Sequence, residues 1–164
     1  MKPIQIFVLL CTAALLFLAA CESHETQSTD AESMQQAVPE SITTQTLSES
    51  NWVLVNLHGE EFTLTMEGAR QPGITFDGAE ERVYGFAGCN QFTGGFTLEE
   101  AGRLSFTQMA STKMFCPDME VEDRYMEALE QTTHAVMIEG MLQFSDRESA
   151  VVAVFYADPE TPDF

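Results

Sequence analysis

The sequence predicts an α+β domain in which one main helix packs on a curved antiparallel sheet, as a sandwich or a partial barrel. Two observations support this fold class. Between residues 48 and 158, short apolar segments, many of them alternating with polar residues at a period of two, recur between Gly, Pro, Asp or Glu-rich turns. After Cys116, apolar residues instead recur at helical spacing. A stretch of about 110 residues suits one domain with a single core.

Nine segments are predicted as strands, most of them joined by antiparallel hairpins. They are residues 52–57, 61–64, 73–76, 83–86, 95–98, 104–107, 135–138, 141–144 and 151–155.

The predicted helix follows Cys116-Pro117-Asp118, and Asp118 is the predicted N-cap residue. Glu120, Glu122 and Asp123 fill the first turn, where the helix dipole favours negative charge. We interpret these three acidic residues as solvent-facing rather than as metal ligands or acid/base groups. The face predicted to pack on the sheet contains Val121, Tyr125 and Leu129.

The N-terminus has the pattern of a cleaved export signal. Residues 4–18 are almost continuously apolar, which is too short for a stable membrane span. Leu-Ala-Ala before Cys21 resembles a bacterial lipobox, so residues 1–20 are predicted as a lipoprotein signal peptide and Cys21 as the lipidated first residue. Several acyl chains on Cys21 would anchor the protein stably. The alternative is a secretory signal that is cut elsewhere.

Residue 22 is Glu rather than the Asp that retains lipoproteins at the inner membrane. This favours the outer membrane, with the domain facing the periplasm. Residues 21–47 are predicted as the lipid anchor and a disordered tether, because Ser, Thr, Gln and Glu dominate them. The domain is predicted over residues 48–158, and residues 159–164 form a C-terminal tail.

The chain is strongly acidic, with 7 Lys and Arg against 26 Asp and Glu and a formal net charge of −19. This charge excludes nucleic-acid binding, which needs basic surfaces. Dense carboxylates also resemble surfaces adapted to saline surroundings. We expect a monomer.

Aromatic residues and glycines are concentrated between residues 84 and 98. Tyr84, Phe86, Phe92 and Phe96 all occupy even positions, so we expect two strands to direct these rings to one face. The segment 88–90, Gly-Cys-Asn, would form the bend between the strands, since Gly and Asn tolerate unusual backbone angles.

Four segments together resemble the META domain family, also called HslJ-like. They are Trp52-Val53-Leu54, Gly88-Cys89-Asn90-Gln91-Phe92-Thr93-Gly94, Met109-Ala110-Ser111-Thr112-Lys113-Met114-Phe115-Cys116-Pro117 and Tyr125-Met126-Glu127-Ala128-Leu129. The resemblance covers about residues 48–157. It implies a curved, partly barrel-like antiparallel sheet with one main helix, and membership of envelope proteins linked to heat stress and, in some members, to tolerance of novobiocin. It implies no established enzymatic activity, and its recurrent residues here are Asn90, Thr112 and the cysteine pair.

Two cysteines are expected in the mature domain, Cys89 and Cys116, because Cys11 is removed and Cys21 is lipidated. An oxidising compartment favours a disulfide between them. Paired but reduced thiols are one alternative. A redox site is another, because Cys116 precedes a helix N-terminus, but the pair lacks Cys-x-x-Cys spacing.

Signals for metal binding or catalysis are weak. His58 and His134 have no second His or Cys at metal-ligand spacing, and no serine stands in a Gly-x-Ser-x-Gly setting. No phosphate-binding glycine loop occurs. We therefore expect no cofactor, no metal and no enzymatic activity.

The predicted function is a stress-related, lipid-anchored binding module for an envelope protein or a small apolar ligand. The binding candidates are Asn90, Phe92, Thr112, Lys113, Met114 and Phe115. Two alternatives are a ligand carrier with an internal cavity and a thiol-redox enzyme that uses Cys89 and Cys116.

Overall fold

A computed structural model describes residues 40–62, 70–116 and 119–159 of the 164-residue chain. They belong to one compact unit, Gln36–Phe164. The predicted signal peptide, Cys21, the predicted tether before residue 40, Asp118 and the tail beyond residue 159 lie outside the described residues. Within the described part of the chain, no helix is long and apolar enough to cross a membrane.

The described residues form nine strands and two helices, with a 3-10 turn at Glu100–Gly102. In chain order they are α1 (Thr44–Ser48), β1 (Asn51–Leu57), β2 (Glu60–Glu61), β3 (Gly73–Asp77), β4 (Arg82–Phe86), β5 (Gln91–Leu98), β6 (Leu104–Ser111), α2 (Glu120–Gln131), β7 (His134–Ile138), β8 (Met141–Ser145) and β9 (Val151–Asp158). Each predicted strand coincides at least in part with one of these strands, although 63–64 lie outside the described residues. β5 begins earlier and β6 ends later than predicted.

The strands form one curled antiparallel sheet in the order β6-β5-β4-β3-β1-β9-β8-β7, with β2 paired to β1. The two edge strands, β6 and β7, approach each other at their N-terminal ends. There the Leu104 amide donates to the Thr133 carbonyl at 3.0 Å, and Arg103 forms an isolated antiparallel bridge with His134. The result is a half-barrel, and α2 contacts β1, β6 and β9. The curved sheet with one main helix is confirmed, but strands dominate the unit more than the class α+β implies.

Residues 40–47 belong to the folded unit, so the tether boundary predicted at residue 47 is wrong. α1 begins after Thr43, whose hydroxyl accepts a hydrogen bond from the Thr46 amide at 3.1 Å. Leu47 is fully buried, and its carbonyl accepts from the Trp52 indole nitrogen at 2.8 Å. Two isolated apolar residues in a polar stretch, Ile42 and Leu47, have no periodicity to reveal them. Contacts with Trp52 and with the β3–β4 hairpin, where the Gly78 amide donates to the Ser48 hydroxyl at 3.1 Å, position α1.

The aromatic residues of β4 and β5 face opposite sides of the sheet, so the expectation of a shared face is wrong. Gly85 pairs with Phe92, and Tyr84 pairs with Thr93. Directly opposite residues share a face, so even positions of β4 match odd positions of β5. Phe92 and its strand neighbour at position 96 therefore point into the core, whereas Tyr84 is only partly buried on the outer face.

The core of the half-barrel contains several aromatic rings in contact with one another. Phe144 lies 4.9 Å from Phe155 between ring centroids, and Phe76 lies 5.0 Å from Phe96 in a T-shaped contact. Tyr125 of α2 contacts Phe155 at 6.1 Å, and its hydroxyl has no hydrogen-bond partner within the described structure. Burial raises the pKa of Tyr125 well above its ordinary value, because desolvation disfavours the phenolate.

We expect Gly85→Ala to destabilise the fold by about 3 kcal/mol, because a methyl group there would overlap the Phe92 ring and the Gly73 carbonyl oxygen. Chemical denaturation would measure the change. Gly140→Ala is the matched control, because a side chain at Gly140 meets no atom within 4 Å and costs only backbone strain at φ +76°. A Gly85→Ala variant no less stable than Gly140→Ala would contradict the predicted overlap.

Candidate functional site

The β6–α2 loop, residues 112–116, carries the most exposed apolar side chains of the described residues. Phe115 is 93% exposed and Met114 is 58% exposed, and Lys113 between Thr112 and Met114 is exposed as well. We call Lys113, Met114 and Phe115 the loop tip. Since large apolar side chains gain free energy when they leave water, an exposed pair in consecutive positions is unusual for a small domain.

A disulfide holds one end of the loop. The Cys89 and Cys116 sulfur atoms are bonded, and their Cα atoms lie 6.0 Å apart. Cys89 is buried in the connection between β4 and β5. The predicted disulfide is thus confirmed, and it links the end of the loop to the connection between β4 and β5.

The Asn90 side chain holds the other part of the loop. Its Oδ1 accepts hydrogen bonds from the Thr112 hydroxyl and from the Met114 amide, both at 2.7 Å. Its Nδ2 donates to the Met114 carbonyl at 3.1 Å. Asn90 is only 1% exposed. One buried amide group therefore satisfies both backbone groups of Met114 and orients the loop from beneath.

Glu122 of α2 completes this polar cluster. The Asn90 backbone amide donates to Glu122 Oε2 at 2.8 Å, and Asn90 Nδ2 lies 3.1 and 3.0 Å from Oε1 and Oε2. Glu122 is 5% exposed, so the expectation that it faces solvent is wrong. Charge-assisted hydrogen bonds compensate the cost of burying the carboxylate.

A signal for Glu122 was present in the sequence. Glu122, Tyr125 and Leu129 follow at three- and four-residue steps, so one side of a helix must carry all three. The structure buries all three. A carboxylate on the apolar face of a helix indicates a partner in the core, and that partner is Asn90.

The six binding candidates separate into three groups. Asn90 and Thr112 belong to the polar cluster, and Thr112 also joins Gln91, whose carbonyl accepts from the Thr112 amide at 2.9 Å. Phe92 is buried in the core, with its ring 5.9 Å from that of Tyr125. The three residues of the loop tip are exposed.

The cluster is arranged to hold a loop in place. Both oxygens of Glu122 and both polar atoms of the Asn90 side chain bond to the chain itself. Across the described ranges, no group of three or more His, Cys, Asp or Glu residues is placed to hold a metal ion. The groups that this loop presents to solvent are thus the apolar side chains of Met114 and Phe115 and the cationic side chain of Lys113.

Comparison with known proteins gives a family match and structural neighbours. Residues 45–159 match the META domain family, and no curated protein matches the chain. A solution NMR structure is 22% identical, with a TM-score of 0.58, and the match covers 74% of this chain and 100% of that chain. An NMR structure of a protein from Burkholderia xenovorans is 21% identical, with a TM-score of 0.55 and coverage of 73% and 94%.

A third neighbour is the crystal structure of a duf4847 family protein from Bacteroides vulgatus, at 12% identity, with a TM-score of 0.52 and coverage of 71% and 98%. These neighbours share the fold. The range of the family match contains both disulfide cysteines, Asn90 and the whole of α2. The chain therefore belongs to the META domain family.

Proposed function

We propose that this chain is a non-enzymatic, lipid-anchored protein of the bacterial outer membrane that faces the periplasm and docks on an envelope protein through its loop tip. The observation that carries the proposal is Phe115, 93% exposed on a loop that is held at both ends. The anchor rests on the resemblance of the residues before Cys21 to a lipobox, and the role in stress rests on the resemblance of the chain to META proteins.

The bracing of the loop favours docking. Binding normally costs free energy to order flexible side chains and loops, and a loop already held by a disulfide and by Asn90 avoids much of that cost. Exposed aromatic side chains are typical anchors at interfaces because they bury a large apolar area. Lys113 adds a positive charge at the tip of an otherwise acidic protein.

A protein partner has more support than a small apolar ligand inside the barrel. The interior is filled by the packed rings of Phe76, Phe96, Phe144 and Phe155. A cleft of 830 Å³ between α1 and the β3–β4 hairpin opens to solvent and contains polar residues such as Asp77. A docking partner instead needs only the apolar tip outside the barrel.

The thiol-redox alternative has less support from the geometry. Cys89 is buried and Cys116 is only partly exposed. Thiol–disulfide exchange requires in-line attack of a thiolate on one of the two sulfur atoms of the disulfide. Burial of these sulfur atoms therefore slows the reaction. The same bond also has a structural role, since it holds the loop.

We expect Phe115→Ser to weaken partner capture without destabilising the fold, because its side chain is exposed and outside the core. The full chain would be expressed in its own bacterium with a photo-cross-linking amino acid in place of Lys113. Irradiation would then link the loop tip to a bound partner protein. The parent should give an adduct of discrete mass, and Phe115→Ser should reduce its yield by roughly tenfold, as expected for the loss of an anchor residue.

Val151→Ser is the matched control, because Val151 is also an exposed apolar residue, at 41%, and lies on β9. It should leave the adduct unchanged. Equal adduct yields in Phe115→Ser and Val151→Ser would refute docking through the loop tip, as would the absence of any adduct in the parent.

A further inference from the structure

A groove of 480 Å³ lies along the outer face of β4, β5 and β6, on the opposite side of the sheet from the core. Its walls and floor include Arg82, Tyr84, Gln91, Thr93 and Ser111. Thr112 also borders it, so the groove ends beside the loop tip but contains none of the tip residues.

A difference in side-chain size between neighbouring strands creates the groove. Across the strands, Tyr84 of β4 is followed by Thr93 of β5 and Ala110 of β6. Arg82 is opposite Gly95 in the same way. The large side chains of β4 therefore form one wall of the groove, and the small residues of β5 and β6 form its floor.

The Arg82 guanidinium is held in this wall. Its Nη2 donates to the Thr93 hydroxyl at 2.9 Å, and its central carbon lies 5.8 Å from the centre of the Tyr84 ring. This hydrogen bond and the stacking contact orient the planar group before any ligand arrives.

Arg82 forms no ion pair with the acidic residue opposite it. Asp77 of β3 is its cross-strand partner, but Asp77 Oδ1 instead accepts hydrogen bonds from the Ala79 and Glu80 amides at 2.9 and 3.1 Å. Elsewhere in the described structure, Arg103 and Arg124 pair with Glu99 and Glu60 at 2.9 and 2.7 Å. Arg82 forms no such ion pair with a described carboxylate, and it is the one charged residue among those that line the groove. In a chain with 26 acidic residues, an oriented arginine without an ion pair to a described carboxylate is a distinct feature.

We propose that this groove binds an oxyanion, a carboxylate or a phosphate group, on the Arg82 guanidinium. The planar guanidinium presents parallel N–H donors that match the two oxygens of such a group, and the hydrogen bonds are charge-assisted. Gln91 borders the same groove, on the face that Thr93 shares, and its side-chain amide supplies a neutral polar contact.

The net negative charge of the chain does not prevent this binding. Charges farther than about 8 Å from a site are largely screened at physiological ionic strength, so most of the acidic surface acts only weakly on the groove. The surrounding acidic surface instead confines anion binding to the groove.

The test is an NMR titration of the full chain, labelled with nitrogen-15 and purified in detergent. The probes are sodium phosphate and sodium acetate, with sodium chloride at matched ionic strength as the reference. We expect a saturable shift of the Arg82 Nε–H signal and of the Thr93 and Ser111 amides. Saturation by phosphate alone identifies a phosphate site, and saturation by acetate as well identifies a general carboxylate and phosphate site.

Arg82→Gln should weaken the binding by at least about tenfold, and Arg82→Lys should weaken it less, because lysine keeps the charge but loses the fork of donors. Arg147→Gln, in the exposed turn between β8 and β9, is the matched control and should change nothing. Unchanged dispersion of the remaining amide signals shows that each variant is folded.

The proposal is overturned if neither probe saturates, if chloride gives the same shifts, or if folded Arg82→Gln binds as the parent does. Phe115→Ser should leave the titration unaltered, so the outcome here is independent of docking through the loop tip.

Discussion

Cys89→Ala/Cys116→Ala is expected to melt about 10 °C below the parent chain under non-reducing conditions. The bond joins residues 27 positions apart in sequence, and closing such a loop stabilises the folded state by about 3.5 kcal/mol in the chain-entropy model. Alanine is preferred to serine because Cys89 is buried, and a hydroxyl there would add its own desolvation cost.

Thermal unfolding followed by circular dichroism, with and without a phosphine reductant, would measure this effect. The reductant should lower the melting temperature of the parent towards that of the variant and should leave the variant unchanged. Equal melting temperatures of parent and variant without reductant would show that the disulfide does not stabilise the fold.

Asn90→Ala is expected to reduce the free energy of unfolding by about 3–4 kcal/mol. The change removes both side-chain donor contacts to the Glu122 carboxylate and both acceptor contacts to Thr112 and Met114. The buried carboxylate then retains only the Asn90 backbone amide among the donors described here. An incompletely compensated charge in the core accounts for most of the loss.

Urea denaturation would measure the loss, and Glu122→Gln should produce a smaller decrease of about 2 kcal/mol, because the new amide group would direct donors towards the donors of Asn90. Asp123→Asn is the control, since Asp123 is the exposed neighbour in the same first turn, and it should change stability by less than about 1 kcal/mol. The assigned role of the cluster would be wrong if Asn90→Ala were no more harmful than Asp123→Asn.

Elements with a strong local pattern were predictable. Apolar residues at a period of two and turn residues between them located the strands, and helical spacing after Cys116 located α2. The cysteine pair could be predicted because an exported domain with two cysteines favours a disulfide. The ordered motifs around Asn90 were sufficient to recognise the META family.

Features that depend on long-range pairing were not predictable in the same way. The connection between β4 and β5 determines whether Tyr84 shares a face with Phe92 or with Thr93, and a change of one residue in register inverts the answer. Leu47 belongs to the fold through tertiary contacts, among them the hydrogen bond from the Trp52 indole to its carbonyl.

The sequence by itself determined the positions of the strands along the chain, the position of α2, the family and the two cysteines that pair. Only the tertiary structure decided that Glu122 is buried, that Asn90 holds Met114, and that Phe115 is consequently exposed on a braced loop. The physical reason is the separation of the partners: periodicity reports which way neighbouring side chains point, whereas Asn90 and Glu122 are 32 residues apart and meet only when the sheet curls under α2.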